Sequence, residues 1–435
     1  MSLTRPSLSQ LWSSTLMVVG LALLAKLCGA LKEISLAHHL GTSALVDQFV
    51  FAFSVATWPA AVAGSILTIA LTPLLTKLQR RNDRTTKNFM AQLWGGSVAL
   101  SLLVALVFGC VFPNLSPLAA SGGPRLAVMV GVVTFLSCLT TLITIILMCH
   151  RRQIGTLLEG LPSLTLGILL VLGLWPHDDT LVYGLVLGMV LQLGILWVVH
   201  HRHIGAVSWA LPQAGPQWSA LGTGLGYTTA GYAILSSAPM IELWVASGFE
   251  TGSVASLGYA ARITALATGL IVTAVNRVAI VHFCNLQSKR ISGAQVWLGV
   301  VGWFSLGSFV SSLVLIYFSN ELVSLMFQRG RFDAAAADTV SQLMRWSVAQ
   351  LTPYVATAVL CAYLSAIGGF KQIFIACLLC FVGQVGCAVV GSQQHGLTAI
   401  AAAPLVGHVL MLGYLLMAVS KRAAPSLVAP SSLQT

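Results

Sequence analysis

Charge is what this sequence has least of. Asp, Glu, Lys and Arg together make up 8% of its 435 residues, against roughly 25% in a soluble domain. Acidic residues are scarcest, 11 against 22 Lys and Arg. A chain that is 57% hydrophobic with so few charges cannot solvate a globular surface, which excludes a water-soluble domain. Strand-like alternation is missing as well. The apolar runs are continuous, which excludes a transmembrane β-barrel. Nine cysteines are present, an odd number, most of them inside apolar runs and none paired in loops. That excludes a disulfide framework. The "CLLC" at 377–380 has no matching pair elsewhere and reads as small packing residues. No Ser/His/Asp spacing, HExxH, Walker phosphate loop or CxxC pair set occurs, so neither an enzyme nor an ATP-driven pump is expected. No small-residue cleavage site follows the first apolar run, so that run is expected to stay as a helix.

What the chain has instead is apolar length. Twelve stretches suit a membrane crossing, near 10–36, 45–76, 88–113, 124–149, 153–175, 180–200, 219–248, 254–283, 294–318, 340–367, 371–391 and 397–419. A bilayer-spanning helix needs about 20 such residues. The fold class expected is therefore an all-α polytopic membrane protein with about 12 transmembrane helices. With the N-terminus inside, loops on that side hold fourteen Lys and Arg, from Arg5 through Lys87, Arg152, Arg202 and Lys371 to Arg422. Loops on the other side hold three, Arg125, Arg329 and Arg331. Cytoplasmic loops carry such an excess, so both termini are expected in the cytoplasm. The net charge of +11 then belongs to loops beside a membrane, and no nucleic-acid partner is implied.

Weak internal echoes divide the chain. "GSILTIALTPLLTKLQ" (64–79) is echoed by "GLIVTAVNRVAIVHFCNLQ" (269–287), and "RRQI" (151–154) by "FKQI" (370–373). Their order supports two six-helix halves, 1–205 and 206–435. An even number of crossings gives both halves the same orientation, with a pseudo-two-fold axis along the membrane normal. The "HHRHIG" between them (200–205) reads as a solvated linker at the lipid headgroups, ahead of a metal site.

The informative residues are the charges left inside apolar runs. A charge at the bilayer centre costs on the order of 3 kcal/mol, so such groups face a bundle interior or a wet cavity. Lys26 and Glu33 are seven apart on the first helix and share a face, while Lys32 points elsewhere. Asp47 begins the second stretch, Glu242 lies in the seventh, Arg262 in the eighth and Arg345 opens the tenth. Two readings stay open. In one, Lys26–Glu33 or Lys32–Asp47 are ion pairs locking helices and Arg262 snorkels to an interface. In the other, Lys26, Lys32 and Arg262 form a cationic patch that receives an anion, with phosphate the natural guest. Glu242 and Asp47 are the candidates for a proton or sodium site. No cofactor is expected, and energy would come from an H+ or Na+ gradient, the membrane potential or substrate flow.

"AKLCGALKEISLAHHLGTSALVDQFVFAF" (25–53) resembles the first two helices of the MviN/MurJ family of lipid II flippases, in the multidrug/oligosaccharidyl-lipid/polysaccharide exporter superfamily. The family pattern is Ser-Arg-x-x-Gly, Arg-Asp, a Gly, then an Asp before a Phe-rich run. Lys26, Gly29 and Lys32 fall on the first basic position, the glycine and the second basic position. Glu33 replaces the aspartate, Gly41 follows, and Asp47 takes the later aspartate. "VASGFETGSVASLGYAARITALATGL" (245–270) is similar to the segment ending Tyr-Ala-Asp-Arg, with Arg262 on its arginine and Ala261 in place of aspartate. "MFQRGRFDAAAADT" (326–339) is similar to the Phe-x-x-Gly-x-Phe-x-x-x-Asp segment before the tenth helix.

The resemblance implies a V-shaped bundle of two six-helix lobes around a cationic cavity. It implies alternating access that moves an undecaprenyl-pyrophosphate-linked saccharide from the inner to the outer leaflet of the bacterial inner membrane. Lys26, Lys32, Arg262, Asp47 and Glu33 become the substrate-binding candidates, with membrane lipids and glycan-synthesis machinery as partners. Two departures stand out. "WPAAVAGSILTIAL" (58–71) carries no charge where the family has an Arg pair and an acidic-Gly-aromatic run. Twelve helices are expected where peptidoglycan members have fourteen. Both extend the expected cargo from lipid II to the lipid-linked repeat unit of an exopolysaccharide or O-antigen. The competing functions are a cation-coupled multidrug exporter, whose cavity should be acidic or aromatic, and a non-transporting scaffold of the cell envelope.

Overall fold

Continuous apolar runs without strand-like alternation satisfy their backbone groups internally only as helices, and that is what forms. The computed structural model describes residues 8–79, 84–150, 152, 154–173, 176–213, 215–224, 226–269 and 294–423, with no strand among them. Helix α1 is Leu8–Leu40, α2 Ala44–Gln79, α3 Arg84–Val111 and α4 Gly123–Cys149. Next, α5 comes in two pieces, Ile154–Leu158 and Leu161–Leu172, and α6 is His177–His203. Helix α7 comes in three, Pro216–Gly224, Tyr227–Leu235 and Ala238–Ala246. The described part of α8 is 253–269, and α9 is Ala294–Tyr317. Helix α10 runs Ala334–Ala349 and Leu351–Ala366, α11 runs Phe370–Gly386 and continues through a π-turn at Cys387–Gly391, and α12 is Leu397–Ala423.

Each of the twelve expected stretches coincides, over its described residues, with one of these helices or helix groups. Among the described residues, eight helices are long and apolar enough to cross a membrane. Of α8 only 253–269 lies among the described residues, and α5 and α7 are divided near prolines. The break in α5 sits at Gly160 before Pro162, and the last break in α7 precedes Pro239. A proline in a helix interior removes a donor and crowds the preceding turn, so a crossing divides there. Helix α1 carries Lys26, Lys32 and Glu33 in its second half, toward Leu40. The second arm of the 64–79 and 269–287 echo lies outside the described residues from 270 onward, and Arg151 and Gln153 of "RRQI" lie outside them too.

Packing sorts the helices into two groups. Helices α2, α3 and α6 pack on α4, and α1 and α6 pack on α5. In the second half α10 and α11 pack on α12, α9 on α10, and the middle piece of α7 on α11. Each group has a core of its own at one end. Leu71, Leu75, Phe89, Leu93, Trp94 and Leu142 belong to the first. Leu351, Val355, Leu364, Ile373 and Leu415 belong to the second. At the opposite end the groups share one core, in which Leu36, Phe49 and Val133 meet Tyr259, Phe327, Phe332 and Val340. The molecule is thus joined at one end and divided at the other. The divided end carries Lys87, Arg152, Arg202 and Lys371.

Candidate functional site

The joined end is built from turns that fit without side chains. Gly41 has φ +59°, and a Cβ there would stand 2.7 Å from the Arg331 carbonyl oxygen. Gly252, at φ +94°, lies against Thr42, where a Cβ would meet the carbonyl oxygen at 2.9 Å. Positive φ and this closeness both require glycine. Four hydrogen bonds then cross between the groups at this end. Arg331 N donates to His38 O (3.0 Å) and Tyr259 Oη donates to Gly41 O (3.0 Å). The Asp47 carboxylate accepts from Gly252 N (2.5 Å) and Ala255 N (2.7 Å). Asp47, on the first turn of α2, therefore sits on the open amides at the start of α8, where an anion is favoured by both hydrogen bonding and the helix dipole.

Below this seal the charges gather. Glu33 Oε1 is shared by two cations, Lys32 Nζ at 2.9 Å from its own helix and Arg262 Nε at 3.1 Å from α8. Two positive groups and one negative leave the cluster with a net charge of one proton. Lys32 also stands 5.1 Å from the Phe53 ring centre and 5.8 Å from that of Phe49, and Arg262 stands 6.0 Å from Phe53. Aromatic faces supply part of the solvation that water would give a cation.

Exposure separates the two cations. Lys32 is 4% exposed, whereas the Arg262 side chain is 46% exposed. Arg262 turns toward a cavity of about 820 Å³ bounded by α2, α7, α8, α10, α11 and α12. Its Nη1 and Nη2 make no further hydrogen bond or ion pair among the described residues. The cavity wall is mostly apolar but includes Tyr232, Glu242, Gln350, Tyr354, Gln384 and His408. Glu242 Oε1 and Gln384 Oε1 are buried in it and have no hydrogen-bond partner among the described residues. Lys26 lies half-buried on α1, its Nζ 2.6 Å from where a Cβ on Gly269 would stand, one residue beyond the wall residue Thr268.

The structure thus brings Lys32, Glu33 and Arg262 into one cluster and puts Arg262 and Glu242 on one cavity. It differs from the helix-face reading of α1. Neighbouring Lys32, not Lys26, pairs with Glu33, because the long lysine bends back along the helix to reach it. Neither does Lys32 pair with Asp47, whose oxygens are taken by backbone amides. Lys32 and Asp47 are both buried and lie off the cavity wall. Arg345 bonds to Ser319 Oγ (2.7 Å) and Asn320 Oδ1 (3.1 Å), away from the cavity. Sequence reasoning passed over Phe53, Tyr354 and His408. The i, i+4 spacing of Phe49 and Phe53 was the one signal for the aromatic support, and nothing marked Tyr354 or His408. No group of His, Cys, Asp or Glu suited to a metal ion occurs among the described residues. Cys377 and Cys380 lie in the buried packing of the second group.

Comparison with known proteins adds the following. The family model described as "Lipid II flippase MurJ" matches residues 36–432. No curated protein matches the chain in sequence. Among solved structures, a lipid II flippase MurJ in an inward closed conformation is similar over 93% of this chain and 87% of its own, with 16% identity and a TM-score of 0.79. An inward-facing multidrug resistance MATE family transporter covers 92% of this chain and 94% of its own, with 14% identity and a TM-score of 0.73. An outward-facing MATE family structure covers 94% and 95%, with 16% identity and a TM-score of 0.61.

Proposed function

The chain belongs to the lipid II flippase MurJ family, and on that footing we propose that it moves a polyprenyl-pyrophosphate-linked saccharide from the inner to the outer leaflet by alternating access. The protein is a multi-pass membrane transporter of the MOP superfamily type, not an enzyme. Its place is the bacterial inner membrane, with both termini in the cytoplasm and the divided end facing inward. The observation that carries the reading is Arg262, a half-exposed guanidinium held through Nε by Glu33, whose terminal nitrogens have no partner among the described residues and face a large cavity.

A guanidinium with two open nitrogens matches a phosphate oxygen pair. Lys26 supplies a second positive charge at the edge of the site, and Lys32 adds its charge from behind Glu33. Glu33 holds the cations in place while no diphosphate is bound, and Asp47 keeps the outer end shut. The sugars occupy the wet cavity and the prenyl chain stays in lipid, so only the head group has to be shielded. Glu242 is the candidate coupling group for H+ or Na+. The cargo fitted by this reading is lipid II or a related lipid-linked repeat unit. A cation-coupled drug exporter, the competing reading, would want an acidic or aromatic receiving site, and an open arginine disfavours it.

The test measures lipid-linked saccharide reaching the outer leaflet of vesicles. Arg262→Gln should lower the rate at least tenfold at normal protein levels, and Arg262→Lys should retain part of it. Wild-type rates in Arg262→Gln would refute the proposal.

A further inference from the structure

The linker between the two halves is not loose. It runs from the end of α6 across α3, where Gly95 and Gly96 leave a notch. A Cβ on Gly95 would collide with the Ala210 carbonyl oxygen, and one on Gly96 would lie 2.8 Å from Pro212 Cγ. Ala210 N donates to Ala91 O (3.1 Å). The Gln92 side-chain oxygen accepts from Gln213 N (3.3 Å) and from Trp218 Nε1 (2.7 Å). Trp209 meets Trp94 at 6.2 Å between ring centres, and Trp218 meets Phe89 at 5.5 Å.

Packing beyond the linker follows the same division. Val207, Trp218 and Leu221 join the core of the first group. Tyr232 and Leu235, a few residues on, join that of the second. Gly231 sits against Phe374, where a Cβ would be 3.2 Å from its Cα, and Tyr227 meets the Phe374 ring at 5.8 Å. The first piece of α7 therefore packs on the N-terminal lobe, whereas the second packs chiefly on α11 of the other lobe and also touches α2.

We propose that the linker is a strap seated in the Gly95–Gly96 notch, so that the chain through Gly224 moves with the N-terminal lobe and the pivot falls between the first two pieces of α7. The boundary shifts from 205/206, where the repeat places it, to the far side of Gly224. The consequence is mechanical. Movement of the lobes leaves the strap in place and bends the chain beyond Gly224.

Hydrogen exchange on the full-length protein in lipid nanodiscs reads the strap directly. The amides of Ala210 and Gln213, the two in the strap with acceptors on α3, should be protected in the wild type. Gly95→Ala should speed exchange there and in 216–224 by at least tenfold, with 227–246 unchanged. Gly194→Ala is the control, since a Cβ there meets nothing within 4 Å. Rapid exchange of Ala210 and Gln213 in the wild type, or a response of 216–224 no larger than that of 227–246, overturns the proposal. An Ala91→Cys/Ala210→Cys disulfide, confirmed by mass spectrometry, should leave transport within twofold of wild type. Loss of transport that reductant restores also overturns it. A protein that moves no saccharide even unbridged would refute the proposed cargo, while the exchange result still decides the strap.

Discussion

Glu33 holds two cations with one oxygen, and its removal isolates the effect of each. Lys32 has nowhere to go: it is buried, and Glu33 is its ion-pair partner. Removing one member of a buried pair costs about 3–5 kcal/mol. Glu33→Gln should therefore lower the melting temperature by several degrees, while Lys32→Met together with Glu33→Gln should recover most of the loss. A single variant that melts like the wild type would show that the pair is not buried in solution. Asp47 works differently, since it bonds to amides and not to a cation. Asp47→Asn weakens two charge-assisted bonds, at a cost of about 1–3 kcal/mol, and that cost falls only on the sealed state. Val254, buried beside the seal, reports it. A cysteine at 254 should react with a membrane-impermeant maleimide at least tenfold faster from outside in Asp47→Asn. Equal rates would place the seal elsewhere.

At the scale of elements, the apolar runs were legible because one physical rule dominates: backbone in lipid must be helical. All twelve stretches are helical over their described residues. The breaks within α5, α7 and α10 were less legible, because a proline or glycine in an apolar run marks either a kink or a full interruption, and packing decides which. The charged side chains were legible as a set and not as pairs. Spacing along α1 put Lys26 and Glu33 on one face, yet a lysine has enough reach to satisfy a neighbour, and Arg262 arrived from 229 residues away in sequence (262 minus 33). Asp47 read as a charge needing a cation, because open amides at the start of α8 appear only once the chain has folded. The notch at Gly95–Gly96 had no sequence signal beyond two adjacent glycines in a helix, a feature that costs about 1 kcal/mol per residue and is repaid by the strap it admits.

For the whole molecule, the joined end and the divided end define a state. The lobes share a core where α1 meets α2 and part at the end bearing Lys87, Arg152, Arg202 and Lys371. Under the proposed alternating access, the Asp47, Tyr259 and Arg331 contacts open while the other end closes. Carrying an anion outward against an inside-negative potential gains about 2.3 kcal/mol per charge per 100 mV. Imposing such a potential on proteoliposomes should raise the initial outward rate, and a rate indifferent to voltage would remove the potential as a driving force. The most direct measurement is selective binding of the charged head group, by native mass spectrometry of the purified protein with undecaprenyl pyrophosphate and with undecaprenol. The account predicts retention of the diphosphate over the alcohol in the wild type and loss of that preference in Arg262→Gln. Equal retention of both lipids by the wild type would contradict it.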